Sequence, residues 1–113
     1  MYNQVILIGN VGSDPVIKEL PSAKVANFSL ATNRTWTDNA GERQQKTEWH
    51  SVECWGKTAD NVERMVTKGA RMMVTGSLIY DKWEDDAGKH TKAKIRCNSF
   101  LMLTARRDDS APF

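Results

Sequence analysis

Apolar and polar residues alternate with a period of two along most of this chain, the signature of half-buried strands. Val5 to Asn10 is the first such segment, closed by the turn residues Gly12-Ser13-Asp14-Pro15. A shorter extended piece, Val16 to Leu20, runs up to Pro21-Ser22. From Val25 to Asn33 one parity holds Ala26, Phe28, Leu30 and Thr32, and the other holds Val25, Asn27, Ser29 and Ala31. Only the first set is mainly bulky, so that face belongs to a core. The polar tip Thr37 to Glu42 contains Gly41 and reads as a hairpin turn, and Glu48 to Trp55 is the returning strand. Then the period changes. Ala59, Val62 and Met65-Val66 recur at helical spacing, which predicts one short helix over about residues 59–67. Asp60-Asn61-Val62-Glu63 suits a capping box at its start, and Gly69 a left-handed cap at its end. Strands resume from Met72 to Trp83, with Gly76 a bulge or bend, and from Thr91 to Leu103, after the hairpin tip Asp85-Asp86-Ala87-Gly88.

Five main strands with one helix between the third and fourth make an all-β order. A small all-β domain must manage its sheet edges, and closing the sheet is one solution. The order fits an OB-fold, a five-stranded Greek-key barrel, over residues 1–104, with a short tail at 105–113. The first strand adds a constraint: Val5 and Leu7 share one face, Ile6 and Ile8 the other. A strand that is apolar on both sides cannot bury both in one small barrel. The outer face calls for another cover, most simply a second copy of the chain, or else a loop.

Composition narrows the classes. No apolar run approaches the ~20 residues of a membrane span, and the N-terminus shows no basic-then-apolar leader. Both point to work in the cytoplasm. Cys54 and Cys97 stand far apart with no Cys-x-x-Cys, and His50 and His90 lie in no ligand cluster, so reduced thiols and no metal are expected. The net charge of +2 is small for a nucleic-acid binder. The last six residues carry two of the 14 acids and no base, leaving +4 on the rest, which alone decides nothing.

Tryptophan changes the picture. Trp36, Trp49, Trp55 and Trp83 are many for 113 residues. Trp36 stands beside one hairpin tip with Arg34 two residues before it, and Trp83 at the base of the other. Trp49, Ser51, Glu53 and Trp55 share one strand parity, opposite Val52 and Cys54. Every nucleobase has a flat π face that stacks on an aromatic ring largely regardless of sequence, while Lys and Arg neutralise phosphates. Bases including Arg43, Lys46, Lys57, Lys68, Arg71, Lys82, Lys89, Lys92 and Lys94 flank the aromatic positions. A core role for some tryptophans and a carbohydrate-binding platform fit the same composition. Catalytic constellations are weak: there is no glycine-rich phosphate loop, no nucleophile is readable beside His50, and Asp85-Asp86 suits a solvated turn. A non-enzymatic binder without cofactor is the reading that results, with a nuclease as the competing class.

Several segments together resemble the bacterial single-stranded DNA-binding protein family and its phage and plasmid relatives. Asn3 to Pro15 is similar to the family's first strand and turn, and Val25 to Thr32 to its second strand. Thr47-Glu48-Trp49-His50 is a diagnostic element, followed in family order by Gly56-Lys57, Lys68-Gly69, Val74-Thr75-Gly76 and Lys82-Trp83. The resemblance implies that Trp36, Trp49 and Trp83 stack on bases, that Trp55 fills a position often held by a stacking phenylalanine, and that Lys57, Lys68 and Lys82 contact phosphates. It implies a homo-oligomer, usually a tetramer, with His50 at the subunit interface near the first strand. It also implies that Asp108, Asp109, Pro112 and Phe113 form an acidic tip that recruits replication and repair proteins. The chain departs from the pattern in two places. Leu78-Ile79-Tyr80-Asp81 stands where relatives often carry arginines, and the long Gly-, Pro- and Gln-rich linker is missing before the tip. A primosomal OB protein of the dimeric kind is the alternative within the fold, although such relatives generally lack the tip.

Overall fold

The computed structural model describes residues 1–104. Six strands form one sheet: β1 (Val5–Val11), β2 (Val16–Glu19), β3 (Lys24–Thr37), β4 (Arg43–Trp55), β5 (Arg71–Asp85) and β6 (Gly88–Met102), with one helix, α1 (Gly56–Met65), between β4 and β5. The strand order is β1-β5-β6-β4-β3-β2, and a further pairing of β1 with β3 closes the sheet. Five strands thus form the barrel, while β2 adds to the outer edge of β3. The helix lies between the third and fourth barrel strands, the OB arrangement expected from the patterning. Closure rests on two contacts that no local pattern encodes: Asn10 opposite Ala31 at the β1–β3 seam, and the parallel pairs Val52–Ile95 and Glu53–Arg96 between β4 and β6.

The inward parities anticipated from the alternation fill the core. Ala26, Leu30, Val52 and Cys54 are essentially inaccessible, joined by Met72 and Val74 from β5 and by Ile95 from β6. Ala59 and Val62 of α1 are fully buried against one end of the barrel. Gly76 does mark an irregularity, since the β5–β6 register shifts between Thr75 and Gly76. Its α-carbon lies so near the Arg96 carbonyl that a side chain there would collide with backbone.

The helix differs from its sequence signals. It starts at Gly56, three residues before the first apolar position, with Trp55 at the N-cap and no side-chain cap. Asp60 and Glu63 are not a capping pair; both bind Lys24 of β3, at 2.9 and 2.8 Å. The bond to Glu63, then that to Asp60, raises the Lys24 ammonium above its ordinary range. Gly69 has φ of +90° but does not cap the helix; its N–H donates to the Val11 carbonyl and ties the following loop to β1. The helix ends at Met65, where the Val66 N–H still reaches the Val62 carbonyl. The two hairpins are also longer than their apolar patterns. β3 and β4 stay paired out to Thr37–Arg43, where only backbone bonds and an Asp38-centred turn hold them.

Both thiols are free and buried. One strand step beyond the Glu53–Arg96 pair, Cys54 and Cys97 are neighbours, and the influence of Cys97 together with burial pushes the Cys54 thiol up.

Candidate nucleic-acid interface

Strand β4 builds the centre of the site. Its pleat sends Val52 and Cys54 into the core and Trp49, Ser51, Glu53 and Trp55 to the outside. The β3 residues opposite them are Ala31 beside Trp49, Ser29 beside Ser51 and Asn27 beside Glu53. These short partners leave a trough of about 410 Å³ on the outer surface, walled by Lys18 of β2, Asp81 of β5 and Lys92 and Lys94 of β6. Trp49 and Trp55 stand on either side of it along β4. Six residue steps of extended strand separate them, about 20 Å.

The hairpin of β5 and β6 brings a third tryptophan to this surface. Its register pairs Ile79 with Lys94, Asp81 with Lys92 and Trp83 with His90, and antiparallel partners share a face. Trp83 therefore continues the row of lysines that walls the trough. Its ring stacks on His90 with centroids 5.3 Å apart, and His90 Nε2 is 2.8 Å from Asp85 Oδ1. Trp83 remains 47% exposed, and Trp49 64%. Two flat rings presented to solvent, with lysines between them, suit stacked bases joined by phosphates.

The other sequence-derived positions do not all join this surface. Trp36 lies opposite Gln44, in the row of Arg34 and Lys46, which is the other pleat face of the β3–β4 ribbon from Ala31 and Trp49. Arg34 covers its ring, with Cζ 4.8 Å from the centroid. Lys82 pairs with Thr91 and points away from Trp83. Lys57 is exposed in the first turn of α1. Lys68 is exposed in the loop after α1, where its N–H donates to Asp14 at 2.8 Å. Patterning missed Lys18, Arg96 and the role of Glu53. Val16 to Leu20 reads only as a short extended piece, with nothing to set Lys18 beside β4, and the parallel β4–β6 contact that brings Arg96 to Glu53 leaves no local trace.

Residues 2–103 match the model of the single-strand binding protein family. The chain belongs to this family. Among solved structures it is similar to the Plasmodium falciparum SSB in complex with ssDNA, at 35% identity and a TM-score of 0.87, with 92% of this chain and 96% of that one covered. It is also similar to a deletion mutant of the single-stranded DNA binding protein from Thermus aquaticus, at 28% identity and a TM-score of 0.81. That alignment covers 93% of this chain and 52% of the Thermus chain, so the single-strand binding domain described here spans about half of the Thermus protein.

The electrostatics of this single-strand binding domain centre on Glu53. Its carboxylate accepts from Trp55 Nε1 at 2.6 Å, from Arg96 Nη2 at 3.0 Å and from Lys94 Nζ. Burial disfavours its charge, but the bonds from Lys94, Trp55 and Arg96 outweigh burial and hold its carboxyl down at about 2. Lys94 also meets Asp81 at 2.7 Å; burial opposes its charge, but the two carboxylates prevail and raise it. Among the described residues no three His, Cys, Asp or Glu side chains converge on a metal-sized site.

On β1, Val5 and Leu7 pack onto the core while Ile6 and Ile8 are each 57% exposed. No described loop covers them. His50 is partly buried and shares a 2.8 Å hydrogen bond with Thr32. Asp108, Asp109, Pro112 and Phe113 lie outside the described residues. No described helix is long and apolar enough to cross a membrane.

Proposed function

We propose that this chain binds single-stranded DNA with little sequence preference, stacking bases on Trp49, Trp55 and Trp83 and holding phosphates with the lysines between them. The observation that carries the reading is the trough itself: exposed indoles on one continuous outer surface, interleaved with Lys18 and Lys92. Its role is to coat and protect unpaired DNA in replication, recombination and repair, without catalysis, in the compartment where replicating DNA lies. Membership of the family and the likeness to an ssDNA-bound structure support this. The test is a titration with oligothymidylate, following tryptophan fluorescence, beside a duplex of equal length. Strong quenching by the single strand and far weaker binding of the duplex is the expected result, because bases already stacked in a duplex are not free to stack on indole. Equal affinity for both forms contradicts the reading.

The barrel acts as a homo-oligomer, most simply a tetramer, built through the outer face of β1. Ile6 and Ile8, uncovered and apolar, support this. The tail from residue 105 carries the acidic tip that recruits replication and repair proteins; an aromatic ring close to acidic side chains suits a basic-rimmed partner pocket. Removal of Asp108 to Phe113 should leave DNA binding intact or slightly tighter at low salt and abolish partner capture. Unchanged partner binding by the truncated chain contradicts that role.

A further inference from the structure

Glu53 is the one buried charged residue of the described chain, 7% exposed, although it sits on the outer face of β4. Its surroundings make the burial. The Trp55 indole, Arg96 and Lys94 close around it, and all three donate to its two oxygens. Arg96 then lies over the Trp55 ring, with Cζ 5.3 Å from the centroid. A buried charge pair is a poor way to gain stability, because an apolar residue of similar volume often packs as well or better. An apolar residue at this position would leave Trp55 free to rotate and Arg96 free to swing into solvent. Glu53 removes both freedoms, through the indole N–H and the guanidinium at once.

The remaining contacts assign the parts. Lys94 is 16% exposed at its side chain and lies between Glu53 and Asp81, so its charge is already matched. Arg96 is 48% exposed at its side chain and spends one nitrogen on Glu53. A guanidinium has five N–H donors in a fixed fork, which leaves the others for a phosphate. Ordering these groups before DNA arrives lowers the entropy lost on binding.

We propose that Glu53 is a positioning residue that locks Trp55 and Arg96 into one platform for a single nucleotide, the indole taking the base and Arg96 its phosphate. This rests on the single-stranded DNA reading above and adds a contact, Arg96, and a residue that acts through it. The test uses the full chain in oligothymidylate titrations at several salt concentrations, comparing Glu53→Val, Arg96→Met, Trp55→Ala, the double variant Glu53→Val/Trp55→Ala, and Trp49→Ala as a reference. Arg96→Met should lower the steepness of the salt dependence by about 0.7, the value of one phosphate contact on a single strand. Glu53→Val should weaken binding roughly ten-fold and lower the salt dependence equally. In the Trp55→Ala background Glu53→Val should cost less than in the wild type, because only the Arg96 contact remains to be lost. A merely structural glutamate would shift thermal unfolding but not the salt slope. If Glu53→Val does not fold, Glu53→Gln and Arg96→Met decide: Gln retains one oxygen for the indole and should recover part of the affinity. Wild-type affinity and slope in a folded Glu53→Val or in Arg96→Met overturns the proposal, as does a cost that adds fully to that of Trp55→Ala. If the wild type itself ignores oligothymidylate, the functional reading has failed instead; if the wild type binds and Trp49→Ala weakens it, only the platform is at stake.

Discussion

Trp49 lies so close over Gly12 that a β-carbon on that glycine would overlap the Cζ3 atom of the indole, and it would also come within 2.9 Å of the Ser29 hydroxyl. The turn after β1 therefore serves as the seat of an aromatic ring on β4, 37 residues along the chain. The need here is for space: Gly12 is not among the residues with left-handed backbone. Gly12→Ala should push the ring off its seat, weaken oligothymidylate binding toward the level of Trp49→Ala, and change thermal stability little. Affinity measured by fluorescence quenching, with a melting curve on the same sample, checks it; unaltered affinity would mean the seat is irrelevant.

The three tryptophans of the trough and Trp36 should separate by DNA length. Trp49→Ala and Trp83→Ala should each cost ~1–3 kcal/mol with short and long oligothymidylate alike. Trp36 lies on the other face of its ribbon beneath Arg34, so its loss should be felt only by strands long enough to pass around the hairpin. Equal losses on the shortest oligonucleotide that binds would place Trp36 in the same track.

Ile8 faces outward in a row with Met73 and Leu101, across β1, β5 and β6. Ile8→Glu should shift the particle mass toward the monomer in light scattering while circular dichroism stays that of the barrel, because Val5 and Leu7 keep their core contacts. A wild type that is already monomeric at micromolar concentration would remove the motive for this.

Acid stability should report Glu53. Its carboxyl is held at about 2 in the folded chain against an ordinary 4.5. A depressed folded value means that the stabilisation is fully present above the unfolded value. It is lost as pH falls from about 4.5 through about 2. A shift of that size corresponds to about 3 kcal/mol. Urea unfolding of wild type and Glu53→Gln at pH 7 and pH 3 should show the larger acid loss in the wild type. Parallel pH dependence in the two proteins would mean that another carboxylate carries the effect.

Much of this site was legible because its residues obey a period of two. Alternation alone put Trp49 and Trp55 on one side of β4 and Val52 and Cys54 on the other, and it showed β1 apolar on both faces. Those are local statements about burial, and a strand keeps them wherever it is placed. The hairpin arms escaped because Thr35 to Thr37 and Arg43 to Gln45 touch no core; backbone bonds extend them without leaving a hydrophobic mark. The helix start escaped for a similar reason, as Gly56 to Thr58 continue the turn off β4 before any residue reaches the barrel. Alternation puts Glu53 on the outer parity of β4 and gives no sign of its burial. Only the parallel register of β4 with β6, across some forty residues of intervening chain, set Lys94 and Arg96 beside it and buried it. The sequence by itself determined which faces are apolar and which carry rings, since each follows from the alternation of neighbours. Tertiary structure decided which rings share a surface, what seats Trp49 and what holds Trp55, because those depend on register between strands that no local period encodes.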